Sequence, residues 1–364
     1  MASPASTAPG RAAYPHLSRR TYLDTAAVGL AFEGQGHAVA AFFDTLKSQG
    51  WDGRPGWQAV TERVRARMAA WVNVPAADVA WLSNTTEGLN LAARGLSWRG
   101  GDRDVMAADE FASVRLAFRF VPAHGAEIVA VPMDGEAARE DRLLDALDGR
   151  TRVLAVSHVH ASTGTRMDLA RLARACRERD ALLLVDGVQA LGAVAVDASL
   201  ADVYCASHFK WMLGSFGVAT FVASPRARER MAPVARGYAN EAGAGYQYAH
   251  ANLPGLFALE SALDHFDTVG RDAAQARVAE LARALIDGLP SVGLPVVTPA
   301  GAHAGIVSAA CGDAAGLQRS LSARGVSAAE RDGLLRVSPH FYNTTDDVDV
   351  LRGHLRELAP RARR

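Results

Sequence analysis

Charge of one sign is missing from this 364-residue chain: 39 Lys plus Arg balance 39 Asp plus Glu. Without a one-signed field, and with no concentrated basic run beyond the tail "RARR", neither nucleic acid nor an anionic membrane is an expected partner. Cysteine is scarce. Cys176, Cys205 and Cys311 are far apart and odd in number, which excludes a disulfide framework or a metal cluster and fits a reducing, cytoplasmic compartment. No apolar run is long enough to span a bilayer. No glycine-rich phosphate loop follows the first strand, so a nucleotide-binding protein ranks last among the readings. There is no internal repeat and no metal-ligand spacing. The opening "MASPASTAPGRAAYP" has no apolar signal core, and its Ala/Ser/Pro bias reads as a disordered lead-in over residues 1–20. No acid precedes Asp24, so an organelle transit peptide is the rival reading.

Material for a core is plentiful: 49% of residues are apolar and 21% charged, an ordinary globular balance. From about Asp78 short apolar runs alternate with amphipathic ones. "VAWLS" (79–83), "DVMAA" (104–108), "EIVAVP" (127–132), "RVLAVSHV" (152–159), "ALLLVD" (181–186), "VYCAS" (203–207) and "VATFVAS" (218–224) read as strands. Helical patterns separate several of them, at 86–96, 112–121 and 168–179. Continuous apolar strands between helices indicate an α/β fold with a mostly parallel sheet covered on both faces. After Leu253 the texture changes. One long helix over 253–289, a strand at 305–311, a helix at 313–324, a strand at 334–339 and a last helix from Thr344 form a smaller α+β unit. The expected division is a large domain over 21–252 and a small C-terminal domain over 253–364, with the N-terminal segment placed to pack on the small one.

Ligands of open α/β sheets bind beyond the carboxyl ends of the strands. After "VAWLS" come Thr85 and Thr86 in "NTTEG", at a helix start. Hydroxyls and free backbone N–H groups there suit a phosphate, although, taken alone, a plain N-cap with Glu87 in the first turn is the better explanation. After "ALLLV" comes Asp186, a carboxylate at the end of an apolar strand, which needs a cation or a cap. After "VYCAS" comes "SHFKWMLGSFG". Lys210 sits there among aromatic and aliphatic neighbours, either as a snorkelling side chain on Trp211 or as a desolvated, nucleophilic amine. Each signal is weak alone. Together, an acid to hold a ring nitrogen protonated, a lysine to form an imine and hydroxyls for a phosphate are what pyridoxal phosphate requires.

With these motifs in order, the sequence resembles the class V aminotransferase family of pyridoxal-phosphate enzymes (fold type I), which includes cysteine desulfurases, isopenicillin N epimerase and kynureninase. The motifs are "YLDTAAVGL" (22–30), "SNTTEGLNLAARGL" (83–96), "SHVHASTGTRMDL" (157–169), "LLLVDGVQALG" (183–192), "SHFKWMLGSFGVATFV" (207–222) and "LLRVSPHFYNTTDDVDVL" (334–351). The resemblance implies that Lys210 is the Schiff-base lysine, that Asp186 faces the pyridine nitrogen and that Gln189 bonds the ring's phenolic oxygen. It implies that Thr85, Thr86 and Ser207 bind phosphate, that Phe111 in "DEFASV" stacks on the ring and that Arg336 holds the substrate α-carboxylate. It implies a homodimer with shared active sites, in which His250 of "QYAHANLPG" reaches the neighbouring site. The wording "ASHFKWMLG" and "VSPHFYNT" is nearest the isopenicillin N epimerase-like branch.

Departures from the desulfurase pattern matter. The stretch "SARGVSAAERDG" (322–333) has no cysteine where desulfurases carry their nucleophile. Phe209 stands where they have a histidine and Ala161 where they have an asparagine. The expectation is therefore epimerisation, transamination or β-elimination on a small amino acid, without persulfide chemistry. A degenerate scaffold or regulator is the other reading. The substrate pocket is expected along "GYANEAGAGYQYAH" (237–250). His158, His160 and His208 lie near strand ends without an assigned role.

Overall fold

The computed structural model describes residues 8–134, 138–241 and 245–362. The first half runs β1 (Thr21–Tyr22), α1 (Glu33–Gln49), α2 (Arg54–Trp71), β2 (Val79–Leu82), α3 (Thr85–Gly95), β3 (Arg103–Ala107), α4 (Ala112–Ala117), β4 (Glu127–Val131) and α5 (Arg139–Asp145). Then come β5 (Thr151–Ser157), α6 (Leu169–Glu178), β6 (Leu182–Asp186), β7 (Val203–Ser207), β8 (Ala219–Ala223), α7 (Pro225–Arg230), α8 (Leu253–Val269) and α9 (Arg271–Gly288). The chain closes with β9 (Val307–Ala310), α10 (Ala314–Ala323), β10 (Val326–Ser327), β11 (Ala329–Arg331), β12 (Leu334–Val337) and α11 (Thr345–Ala362).

Seven strands form the main sheet in the order β2-β8-β7-β6-β5-β3-β4. Only β8 runs against its neighbours. β6, β7 and β8 are buried along their whole length. Their side chains alternate between two cores, as a strand's period of two requires. Leu182 and Leu184 join Leu89, Ala92 and Phe221 on one face, while Leu183 and Val185 join Leu172 and Cys176 on the other. Because β2, β3, β5, β6 and β7 share one direction, their carboxyl ends open on a single edge. That edge collects the residues singled out in the sequence.

A three-stranded antiparallel sheet, β11-β12-β9, lies over α9, α10 and α11 around a third apolar cluster that includes Leu281, Leu321, Leu335 and Leu351. Leu23 of the N-terminal segment enters this cluster, and β1 pairs with β10, Thr21 against Val326.

Three expectations are corrected. The long helix over 253–289 is two helices, because Gly270 sits at φ +88°, a conformation that breaks the α-helical ladder. Residues 8–20 are ordered: Tyr14 is buried against Phe32 and Tyr342, and Arg11 is bound at 2.7 Å to Asp347. Residues 1–7 of the expected lead-in lie outside the described residues. Helices α1, α2 and α5 stand where no element was read. α2 buries Trp57, Val60, Val64 and Met68 at helical spacing, but charged neighbours dilute the pattern.

Candidate active site

Asn84 caps α3 through its Oδ1, which accepts the Glu87 backbone N–H at 2.8 Å. The cap explanation for Thr85 and Thr86 therefore falls away, and both hydroxyls are free for other partners. The Thr85 backbone N–H donates to Ser207 Oγ at 2.8 Å, and the Ser207 backbone N–H donates to Thr85 Oγ1 at 2.9 Å. This reciprocal pair ties the start of α3 to the end of β7. Thr86 is exposed, with its Oγ1 2.7 Å from Ser113 Oγ on α4. Two helix N-termini and four hydroxyls thus gather at this corner, an arrangement suited to an anion.

Asp186 ends β6 and is buried. Its Oδ1 accepts the Val188 N–H at 3.0 Å. Burial pushes the carboxyl up to about 6, against the pull of that hydrogen bond and of Lys210. A carboxylate held there with one neutral donor has capacity for a cation. Lys210 lies three residues beyond β7, half-buried, its Nζ 5.5 Å from the Phe209 ring and 6.0 Å from the Phe111 ring. Desolvation lowers its ammonium to about 8, with Arg336 and Arg331 adding to the effect and Asp186 opposing it. Trp211, Met212 and Leu213 behind it are fully buried. The loop is pinned by the Gly29 N–H donating to Phe209 O at 2.9 Å and the Gly214 N–H donating to His208 O at 2.8 Å.

A cavity of about 600 Å³ opens over Lys210. Gln189, Phe111 and Arg336 line it as well. Gln189 Oε1 accepts from Trp211 Nε1 and its Nε2 donates to Ala26 O, which leaves one amide hydrogen. Arg336 is buried. Its Nη1 donates to Ala161 O at 3.0 Å and its Nη2 reaches Asp24 Oδ1 at 3.3 Å. Burial opposes charge on both partners, lowering the arginine and raising the aspartate.

His250 stands apart from this cavity. It is exposed, beside Trp51 at 6.2 Å and Tyr238 at 4.9 Å between ring centroids. Of the three unassigned histidines, His160 lines the cavity, its Nε2 3.0 Å from Asp109 O. His158 and His208 are buried and driven down to about 3, so both are neutral: His158 contacts Tyr204 OH and His208 contacts Thr220 Oγ1. Residues 242–244 of the anticipated substrate loop lie outside the described residues. Sequence reasoning missed Glu110, which accepts the Ser157 N–H and hydroxyl and the Phe111 N–H. It lies three residues beyond β3, as Lys210 lies beyond β7, so the strand-end rule would have found it too. Arg331 and Asp332 were also missed, because the short β11 was not read.

The residues fit pyridoxal phosphate: a buried acid short of a counter-cation, a depressed lysine beside it and an anion-binding corner on one sheet edge. This defines a pyridoxal-phosphate enzyme of fold type I. The chain belongs to the class V aminotransferase family, whose model matches residues 21–351. Among curated proteins it is 30% identical to isopenicillin N epimerase of Amycolatopsis lactamdurans, covering 81% of this chain and 84% of that protein. It is 30% identical to a probable hercynylcysteine sulfoxide lyase of Mycobacterium tuberculosis (80% and 78%) and 25% identical to a probable cysteine desulfurase of Methanothermobacter thermautotrophicus (82% and 83%). Its fold matches a C-DES mutant with glycine covalently linked to its pyridoxal-phosphate cofactor, at a TM-score of 0.87 and 20% identity over 96% of this chain and 99% of that one.

Proposed function

We propose that the enzyme acts at Cα or Cβ of a small amino acid by epimerisation, transamination or β-elimination, and not as a desulfurase that forms a persulfide on a cysteine of its own. The observation that carries this reading is the pairing of depressed Lys210 with buried Asp186 beneath a cavity walled by Arg336.

When bound, the cofactor supplies an electron sink that makes the substrate Cα–H acidic. Asp186 would hold the ring nitrogen in its charged form. Thr85, Thr86, Ser207 and the α3 N-terminus would hold the phosphate, and Gln189 would offer its remaining amide hydrogen to the phenolic oxygen. Phe111 would cover the ring and, with Phe209, help keep water from Nζ. Arg336 fixes the α-carboxylate, which aims Cα at Lys210. Lys210 then carries the Cα proton. An amine of pKa about 8 is roughly 10% unprotonated at pH 7, whereas one at its ordinary value of about 10.5 is roughly 0.03% unprotonated.

The cysteines support the exclusion of a persulfide carried by the enzyme itself. None lines the cavity, and burial raises all three thiols, Cys176 to about 12. A raised thiol is a poor nucleophile. We also propose a homodimer in which His250 reaches the partner's site, a division into 21–252 and 253–364 with α8 lying on α1 and α2, and a cytoplasmic location. No helix among the described residues is long and apolar enough to cross a membrane.

The decisive experiment is the visible absorption spectrum of purified protein and of Lys210→Ala across a panel of L- and D-amino acids. We expect a band in the wild type alone, shifting with one amino acid; the product then names the reaction. A wild type that takes up added cofactor but responds to no amino acid would favour the scaffold reading.

A further inference from the structure

The cavity holds more positive charge than this reading uses. Arg331 ends β11 on the cavity wall, and its guanidinium has no hydrogen-bond or ion-pair partner among the described residues. Arg115 of α4 also lines the cavity and donates through Nε to Glu110 O at 2.8 Å; its two terminal nitrogens have no partner among the described residues, and both arginines are exposed at the cavity mouth. The acids nearby are mostly engaged. Asp109 is paired with Arg139, Glu110 is held by Ser157, and Asp332 accepts from the Ser162 hydroxyl. Asp332 offsets one of the two free guanidinium groups, not both. Arg336 already has Asp24, and one substrate carboxylate suffices for the donors it has left. Arg331 lies close enough to disfavour charge on both Lys210 and Arg336. Such crowding of cations is relieved by an anion, and a second anion can come from the substrate's other end.

We infer that Arg331 recognises a second anionic group, so that the substrate is an amino acid whose side chain itself carries an acid. The inference rests on the amino-acid reading above and names its substrate class. Arg115 flanks the same anion from α4. A bidentate guanidinium suits a carboxylate or a sulfur oxyacid equally, and the panel of acids separates them.

Isothermal titration calorimetry tests this without turnover. Succinate and glutarate are compared with butyrate and valerate, and carboxylates with a sulfonate analogue, on cofactor-loaded and cofactor-free protein. One charge-assisted pair predicts diacids binding about 10-fold tighter than monoacids of equal length. Arg331→Gln should bring that ratio to within about 2-fold without weakening monoacid binding, and Arg331→Lys should keep part of it. Equal wild-type affinity for diacids and monoacids overturns the inference. So does an Arg331→Gln protein that loses both classes equally, since Arg331 would then serve the α-carboxylate. Failure of the amino-acid reading shows separately, as a holoenzyme whose visible spectrum responds to no amino acid.

Discussion

Asp186 shows at the residue scale how a site can oppose the stability of the chain that bears it. Its carboxyl is raised from 3.8 to about 6, so the folded chain binds this proton more tightly than the unfolded chain does. Rising pH therefore removes stability between about 4 and about 6, and the loss, roughly 3 kcal/mol, persists above that window. Asp186→Asn should raise the melting temperature of cofactor-free protein at pH 7.5, with the gain shrinking toward pH 4. Cofactor addition should reverse the order, because only the wild type can hold a charged ring nitrogen. Differential scanning fluorimetry from pH 4 to 8 checks both, and a gap independent of pH would show that the carboxylate charge is not the cause. Asp186 and Lys210 were legible as residues out of place, one acid ending an apolar strand and one lysine among aromatics. Arg331 was not, because its meaning depends on which partners it does not have.

At the scale of elements, α3 must approach the sheet closely to aim its N-terminus. Gly88 permits this: a Cβ there would lie 2.3 Å from Cys205 Sγ and 2.9 Å from Phe221 Cδ2. Gly88→Ala should push α3 outward, cost about 1–3 kcal/mol in chemical denaturation and weaken cofactor retention. Adding Cys205→Ala should restore part of both, since the shorter side chain makes room. A destabilised variant that keeps full cofactor affinity would separate α3 position from phosphate binding. Strands with continuous apolar faces, β5 to β8, were readable to within a residue or two, because burial on both faces leaves one composition. Helices α1 and α2 were not, because most of α1 is exposed and its apolar face is narrow. The break at Gly270 was hidden by apolar periodicity that continues on both sides of it.

For the whole molecule, large exposed apolar side chains gather where His250 sits. Trp51 is 58% exposed and Tyr238 61%, and both contact the His250 ring, while Phe216, 63% exposed, stacks on Phe209 beside Lys210. Such surface is expected to be covered by a second copy. Sedimentation velocity should show a dimer. His250→Ala should weaken cofactor affinity several-fold, as loss of one charge-assisted contact does, without changing the dimer or the melting of cofactor-free protein. An unchanged cofactor affinity would remove His250 from the site. The sequence by itself determined the α/β class, the strand ends and the places of the lysine, acid and arginine proposed for the site, because burial pattern and costly residue placement are local properties. Only the tertiary structure decided that Gln189 has one hydrogen left, that the tail end of the lead-in seals the core through Tyr14, and that Arg331 faces the cavity unpaired. Those outcomes depend on distances between segments tens to hundreds of residues apart, which no local pattern encodes.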